Sequence, residues 1–353
     1  MDDLIRSILS SRKYRGLGIP EETLRDLVEQ ERGRDRSPKE LEQAVREKLH
    51  NIVASYLGDP DYAAASVRLD AAFAPRLDAL VQAPGPDALV QAPGPDALVQ
   101  APRLDALVQA PRLDALVQAP RLDALVQAPR LDALVQAPRL DALVQAPRPD
   151  ATRCALRVVQ ASGESEQVKA VCRDLLAVHA STRERLPAMD TFYPRLFAVT
   201  GVPRTVMDLA CGLHPFGLPW MGLPAGAHYA AYDLHQPRIE LINHFLGLSG
   251  LPELAFHQDI LVDPPRLEAD VAFFFKEAHR FEQRQRGCNR AFWQAIPARW
   301  LLVSLPGSSL TGRRDLADRQ RALVQRTLQG LNWPVTELKI LDELVFCIQK
   351  QGS

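Results

Sequence analysis

Short apolar runs alternate with amphipathic stretches from Arg204 onward, and this alternation constrains the fold more than any other feature. Six runs predict β-strands: TVMDLA, HYAAYDL, AFHQDIL, ADVAFFF, RWLLVSL and ELVFCIQK. Segments such as QPRIELINHFLGLSG and RRDLADRQRALVQRTLQGL lie between them and predict helices. Buried strands that alternate with helices predict an α/β fold with a mainly parallel sheet. The closing VTELKILDELVFCIQK resembles a hairpin, which would give the sheet an antiparallel edge.

The bulk composition is that of a folded chain with a sizeable core. The 353 residues are 46% hydrophobic and 24% charged, with a net charge of −1. No apolar run approaches the ~20 residues that cross a bilayer, and MDDLIRSILSSRKYRG lacks the apolar core of a signal peptide. The five cysteines are scattered without zinc-type spacing, so we expect neither a metal nor a disulfide framework. These features predict a cytoplasmic protein that does not enter the membrane.

A nine-residue repeat fills positions 76–147. It reads RLDALVQAP once, GPDALVQAP twice and RLDALVQAP five more times, which makes eight copies. Because a proline ends each copy, we expect helices of at most about two turns within it. A short-period solenoid or a multivalent binding arm is one interpretation. Nearly identical copies without atypical end units favour the other, a recent tandem insertion with no packed role.

Residues 1–75, before the repeat, predict a small helical domain. IPEETLRDLVEQE places Pro20 and two acidic residues at a helix start. SPKELEQAVREKLHNIVASYL offers Ser37 as the N-cap and Pro38 as the first helical residue, followed by one apolar face. The basic RKYRG at 12–16 would be a solvated turn on charge alone.

Acidic residues follow the first three predicted strands in order. They are Asp208, Asp233 and Asp259. In a doubly wound fold, an acid at the end of the second strand binds a ribose hydroxyl, and a glycine turn after the first strand lets the cofactor approach the backbone. Gly212 stands in that turn. An aspartate at a strand end is also a common turn former, but three in order favour an adenosine pocket.

Four segments resemble a known family: HASTRERLPAMDTFY, DLACGLHPFGLPWMG, FFFKEAHRFEQRQRG and the terminal ELVFCIQK. They are similar to the aminoglycoside-resistance 16S rRNA methyltransferases, strongly over Val168–Lys350 and weakly over residues 1–72. The resemblance implies a Rossmann-like, class I methyltransferase domain at 148–353 and an rRNA-binding helical domain at 1–75. It also implies methyl transfer from S-adenosylmethionine to N7 of a decoding-site guanine. The repeat has no counterpart in that family.

The resemblance assigns roles to particular positions. Arg183 of STRER would hold the methionine carboxylate of the cofactor, a task that suits a guanidinium fork; an ion pair with Glu184 or Glu166 is its alternative role. The other implied cofactor-binding residues are Ala210, Gly212, Asp233, Leu234, Asp259, Ile260, Phe275 and Arg284. Lys276 and Glu282 match the family's catalytic positions on the target side.

Three departures from the family pattern surround this site. His214 stands where the family usually has Asn, and Arg284 replaces a glutamine. The segment 276–282 reads KEAHRFE where the family usually reads KTLPCLE. We expect these changes to affect catalytic efficiency more than the fold or cofactor binding.

The implied reaction needs alignment more than acid–base chemistry. Guanine N7 already presents a lone pair, so neither a general base nor a cysteine intermediate is required, and positioning supplies the catalysis. N7 lies in the deep groove of an RNA helix, so the base must be displaced. Phe281 or Trp220 could stack on it, although burial in the core is the expected role of each.

Basic residues near the predicted site suit contacts with RNA phosphates. The RNA-binding candidates are Arg12, Lys13, Arg15, Arg286 and Arg290. We therefore expect a monomeric methyltransferase that acts on the small ribosomal subunit. A catalytically weak relative that only binds ribosomal RNA is the alternative. A small-molecule methyltransferase is disfavoured by the helical N-terminal domain and the basic loops.

Overall fold

The computed structural model describes residues 1–32, 36–53, 58–82, 166–308 and 315–350, without the side chains of 76–82. The chain forms two compact units. The first joins Met1–Pro75 to Arg157–Ser353, and the second is Arg76–Leu156. Both interpretations of the repeat therefore concern a segment that lies almost wholly outside the described residues, and the three-part division of the chain stays a prediction.

Four helices open the chain, and the second and third begin where their capping residues predict. They are α1 (Asp2–Ser10), α2 (Glu21–Arg32), α3 (Pro38–Val53) and α4 (Tyr62–Gln82). At the start of α3 the Ser37 hydroxyl and backbone N–H donate to Glu40 at 2.6 and 2.8 Å, a capping box. Leu24, Leu27 and Val45 are fully buried between these helices. The apolar faces of α1, α2 and α3 form a small core of their own, whereas that of α4 packs into a core of the sheet.

Helix α4 continues through a proline, since Pro75 lies inside it. A proline there removes one backbone hydrogen bond and crowds the preceding turn. Leu69 and Phe73 are fully buried just before it, and the Phe73 ring contacts Phe245 edge-on with 6.2 Å between centroids. We infer that this packing offsets the cost of the proline.

A seven-stranded sheet forms the centre of the unit in the order β3-β2-β1-β4-β5-β7-β6. The first five strands are parallel, while β7 pairs antiparallel with β5 and with β6. The bounds are β1 Thr205–Leu209, β2 His228–Asp233, β3 Ala255–His257, β4 Ala269–Phe275, β5 Ala298–Pro306, β6 Val335–Ile340 and β7 Glu343–Gln349. The predicted α/β sheet with an antiparallel terminal hairpin is confirmed.

Helices cover both faces of the sheet. Those that follow α4 are Glu166–Val178, Ala180–Arg183, Met189–Thr200, Leu218–Met221, Gln236–Leu248, Ala278–Arg284, Cys288–Ala295 and Ala317–Leu328. Side chains that alternate along the strands enter two separate apolar cores, as Phe273 and Phe274 of β4 show. Within the described part of the chain, none of the helices has the length and apolar character needed to span a membrane.

Deleting Arg76–Pro147 should preserve the fold and cofactor affinity, because the segments that flank the repeat belong to one compact unit. Leu69 of α4 and Leu176 of the helix after the repeat share one apolar core. Circular dichroism and calorimetric titration with S-adenosylhomocysteine measure both properties. A shorter deletion of 103–147, which removes only the last five copies, is the matched control. A molten full deletion beside a folded partial one would show that the first copies pack on the core.

Candidate active site

The predicted site lies at the carboxyl ends of β1 and β4. These adjacent strands are the point at which the strand order reverses, because β1 connects onward to β2 on one side and β4 lies on the other. Ligands of doubly wound folds bind in the crevice at this point. Two non-glycine residues there have left-handed backbones, Ala210 with φ 50° and Lys276 with φ 60°. Such strain persists only where surrounding structure enforces it, and it concentrates at functional sites.

The loop after β1 presents its backbone to the crevice. Gly212 has φ 55°, and a Cβ added there would meet no atom within 4 Å. The Cys211 N–H donates to the Tyr232 carbonyl at 2.9 Å, and the Gly212 N–H donates to Asp233 Oδ2 at 2.9 Å. Burial raises the pKa of the Cys211 thiol well above its ordinary value, so this cysteine is not a nucleophile. The loop is therefore fixed to β2 while its outer face stays open.

Asp233, at the end of β2, is the acceptor that organises this edge. Its carboxylate takes the Gly212 N–H, the His235 N–H at 2.9 Å and the Arg238 Nη1, which lies 3.1 and 3.0 Å from the two oxygens. The residue is only 5% exposed. These four contacts use about as many acceptor positions as a carboxylate has, so a ligand hydroxyl would have to take the place of one of the two Arg238 contacts.

The carboxylate of Asp259, after β3, also has both oxygens occupied by protein donors. Oδ1 accepts from the Leu261 N–H at 3.1 Å and from Arg284 at 2.9 Å, and Oδ2 accepts from Thr23 of α2 at 2.8 Å. Arg284 also lies 2.8 Å from Oδ2 and 2.7 Å from Asp26 of α2. Burial alone would lower the pKa of Arg284, but these carboxylates raise it. In this structure the pair joins α2 to the sheet, and the predicted adenine contact of Asp259 would require a donor to move.

Asp208, the first of the three acids that follow predicted strands, belongs to a buried hydrogen-bond network and not to the crevice. Its Oδ2 accepts from the Tyr229 hydroxyl at 2.5 Å and lies 2.8 Å from His214 Nδ1. His214 Nε2 lies 2.9 Å from the Tyr193 hydroxyl. Burial raises the pKa of both tyrosines, so they remain neutral. His214 thus retains the hydrogen-bonding capacity expected at an asparagine position, inside the core below the loop.

Lys276, at the end of β4, is held between acids. Its Nζ forms an ion pair with Glu184 and lies 3.8 Å from Glu343 Oε2. Arg185 donates to the same Glu343 at 2.8 and 2.6 Å. Burial alone would raise the pKa of Glu343, yet Arg185 and Lys276 lower it. The Arg185 guanidinium also lies 4.5 Å from the centre of the Phe275 ring, which fixes this end of β4.

Arg183 has the exposed position that a ligand-binding arginine needs. Its Nη1 lies 3.4 Å from the Ala177 carbonyl, and the residue is exposed. Glu184 instead pairs with Lys276, and Glu166 lies 3.5 Å from Lys169. Among the described residues, then, the alternative ion pairs of Arg183 do not form.

Glu282 is bound away from Lys276. Its carboxylate accepts from the Gly287 N–H at 2.8 Å and from the Asn289 amide at 2.9 Å. These bonds stabilise the turn between two short helices. A target-side role for Glu282 stays a prediction.

The remaining predicted positions divide into buried and exposed groups. Ile260 and Phe275 are buried, and Leu234 is half-buried. Phe281 is 8% exposed and packs on Phe274 with 4.9 Å between ring centroids, which supports the core role.

Four of the five RNA-binding candidates are exposed: Arg12, Lys13, Arg15 and Arg286. Arg290 is half-buried and donates to carbonyls of Thr327 and Gln329 beyond a helix end. Trp220 is half-buried with Arg173 5.7 Å from its ring.

Several site residues carry no local sequence signal. Asp26 and Asp59 lie in the helical domain, more than 170 positions before the arginines that they contact. Arg185 and Glu343 are likewise far apart in sequence. Only Arg238 had a signal, because it stands five residues after the acid that ends a predicted strand.

Comparison with known proteins finds relatives by sequence and by fold. The family model described as "Ribosomal RNA methyltransferase (FmrO)" matches residues 142–347. A 16S rRNA (guanine(1405)-N(7))-methyltransferase of Micromonospora echinospora is 30% identical over 190 residues, covering 54% of this chain and 69% of that protein.

Two solved structures share the fold. The 16S rRNA methylase RmtB has a TM-score of 0.59 at 23% identity, and the alignment covers 99% of this chain and 98% of that one. The 16S rRNA methyltransferase RmtF in complex with S-adenosyl-L-homocysteine has a TM-score of 0.59 at 22% identity over 99% and 98%.

Replacing Glu277 by glutamine should make stability less dependent on pH. Burial, with the nearby Asp233 charge, raises the pKa of Glu277 to about 7 from an ordinary 4.5, although Arg280 lies 3.3 Å away. The folded state then holds a proton that the unfolded chain releases. The contribution of protonated Glu277 to the free energy of unfolding is fully present below pH 4.5. This contribution, about 3 kcal/mol at most, is lost as the pH rises through 7.

Thermal unfolding midpoints between pH 4.5 and 8 measure this effect. The advantage of Glu277→Gln over the wild type should grow with pH across that range. Glu240→Gln, on an exposed helix face, is the control and should track the wild type. Parallel curves for all three proteins would show that Glu277 titrates normally.

Proposed function

The chain belongs to the FmrO family of ribosomal RNA methyltransferases, and we propose that it methylates N7 of a decoding-site guanine in 16S rRNA with S-adenosylmethionine as donor. The observation that carries this proposal is the hydrogen bond between Gly212 and Asp233 beside the strained end of β4. It reproduces the loop-and-acid arrangement that binds adenosine cofactors at the switch point of a doubly wound sheet. The relative from Micromonospora echinospora, whose name states this reaction, supports the target atom.

The residues present support this cofactor at its methionine and ribose ends, whereas Asp259 at the adenine end is already bound by Thr23 and Arg284. Arg183 is exposed and would bind the methionine carboxylate, and the open face of Gly212 would admit the chain next to it. Asp233 would accept a ribose hydroxyl in place of one of its two contacts with Arg238 Nη1. Leu234 and Ile260 would offer apolar contacts to the adenine ring.

When bound, the cofactor supplies a methyl group on a positively charged sulfur, which is an electrophile. The chain has to place guanine N7 in line with that bond, and it needs no base to do so. The end of β4 is suited to this task because Lys276 is held by Glu184 and Glu343. A rigid Lys276 can orient the displaced base without itself exchanging a proton.

The target is a charged RNA surface, so binding requires cations outside the crevice. The exposed Arg12, Lys13 and Arg15 in the turn before α2 would contact phosphates of the small ribosomal subunit. Arg286 lies exposed beyond the helix Ala278–Arg284 and would add to this surface. We propose that the protein acts as a monomer in the cytoplasm, where its substrate is found.

The alternative function, a catalytically weak or inactive relative that binds ribosomal RNA, rests on the departure of the KEAHRFE segment from the family pattern. Burial, with neighbouring cations, lowers the pKa of His279 to about 4, so this side chain is neutral beside Lys276 and Arg280. The relative that names the methyltransferase reaction favours turnover over binding alone. The direct test is chemical.

Incubation with small ribosomal subunits and S-adenosylmethionine should produce 7-methylguanine at one position of 16S rRNA. Borohydride and aniline cleave the RNA at this base, and primer extension locates the stop. Asp233→Asn keeps the shape of the side chain but loses the charge that binds the ribose, so activity should fall by roughly 100-fold. Asp190→Asn, at an exposed helix start, is the matched control and should retain full activity.

The same modification should give a susceptible bacterium resistance to kanamycin and gentamicin, since it places a fixed positive charge and a methyl group where these cationic drugs bind. Resistance without a stop would indicate another target atom. Binding of cofactor and subunits without a stop would establish the RNA-binding alternative.

A further inference from the structure

Asp59, a carboxylate of the N-terminal helical segment, contacts Arg238, which binds Asp233, and His179, which stands four residues before Arg183. It stands in the segment before α4, and its side chain is only 8% exposed. Arg238 Nη2 lies 2.7 and 2.9 Å from its two oxygens. His235 Nδ1 lies 3.0 Å from Oδ2, and His179 Nε2 lies 2.5 Å from Oδ1.

The Arg238 contact leads directly to the ribose-binding end of the site. The same guanidinium that holds Asp59 through Nη2 holds Asp233 through Nη1. One arginine is thus shared by two buried carboxylates, and its orientation depends on both. Asp59 thereby limits how far Arg238 can close over Asp233.

The His179 contact leads to the opposite end. His179 is the residue before the short helix Ala180–Arg183, and its backbone carbonyl accepts the Arg183 N–H at 2.8 Å. Its imidazole lies against Asp59. The position of the helix that carries Arg183 therefore depends on the same carboxylate.

We infer that Asp59 is a positioning residue for the cofactor: from the helical domain, it fixes the distance between Arg183, at the methionine end, and Asp233, at the ribose end. This inference rests on the proposed function, because it takes the cofactor to span these two residues. A ligand held at both ends gains affinity only if the two ends are correctly spaced.

The charge on Asp59 suits this role. Burial alone would raise its pKa, but His179, His235 and Arg238 lower it far below the usual range. Asp59 therefore remains a carboxylate throughout the range in which the protein works. Removing the charge deprives Arg238 of one of its two carboxylate partners and the His179 imidazole of its contact with a carboxylate.

The test compares two ligands by calorimetry on the full chain. S-adenosylhomocysteine reaches both ends of the site, while 5′-methylthioadenosine lacks the amino-acid part and reaches only the ribose end. Asp59→Asn should reduce the affinity advantage of S-adenosylhomocysteine over 5′-methylthioadenosine by roughly tenfold. His179→Gln should change this ratio in the same direction. It tests the same contact from the other side if the Asp59 variant does not fold.

Asp70→Asn is the matched control. Asp70 of α4 also contacts the methyltransferase part, through His244 Nε2 at 2.8 Å, but His244 is not attached to Arg183 or Asp233. A variant that only weakens the packing of α4 on the methyltransferase part would have a lower melting temperature or a smaller fraction of protein able to bind ligand. The ratio of the two ligand affinities would stay unchanged. A wild-type ratio in both Asp59→Asn and His179→Gln would overturn the inference. Failure of the wild-type protein to bind S-adenosylhomocysteine would instead overturn the proposed function.

Discussion

The buried carboxylate of Asp233 is the interaction on which the rest of the site depends. It accepts the Gly212 N–H from the loop after β1, the His235 N–H and the Arg238 guanidinium. A buried charge without such donors is costly, so the loop, the end of β2 and the following helix must all be in place together. The pairing of β1 with β2 sets the distance between the two strand ends. The bond from the Gly212 N–H to Asp233 then fixes the backbone of the loop after β1.

The helical domain is a structural part of this site as well as a candidate RNA-binding surface. Arg238 and Arg284 each join a carboxylate at the edge of the sheet to one in the helical domain, Asp59 and Asp26 respectively. Such buried ion pairs contribute little net stability, but removing one partner is strongly destabilising because the other charge stays buried without compensation. Their effect is specificity of position, which a methyl transfer that relies on alignment requires. RNA that contacts Arg12 or Lys13 would therefore bind a segment that these ion pairs join to the candidate site.

The sequence predicts the sheet well and the site unevenly. Strands such as ADVAFFF and the closing hairpin follow from local apolar patterning, and Gly212 with Asp233 follows from the strand–loop–acid order. The pattern of apolar residues does not show which way a side chain at a strand end faces. The sequence therefore groups Asp208 with the predicted adenosine pocket, whereas the structure has it bound to Tyr229 and His214 in the core.

Contacts between distant parts of the chain had no sequence signal at all. Nothing local marks Thr23 and Asp26 as partners of Asp259 and Arg284, because such pairs arise only when α2 packs on the sheet. Pro75 lies inside α4 although proline disfavours a helix interior. Its local preference is overridden by the burial of Phe73.

A crystal structure of the full chain with S-adenosylhomocysteine tests the central claim most directly. The account predicts ribose hydroxyls within hydrogen-bond distance of Asp233, the carboxylate of the ligand at Arg183, and an intact bond between Gly212 and Asp233. A ligand bound elsewhere, or Arg238 closed over Asp233 with the ribose excluded, would contradict it.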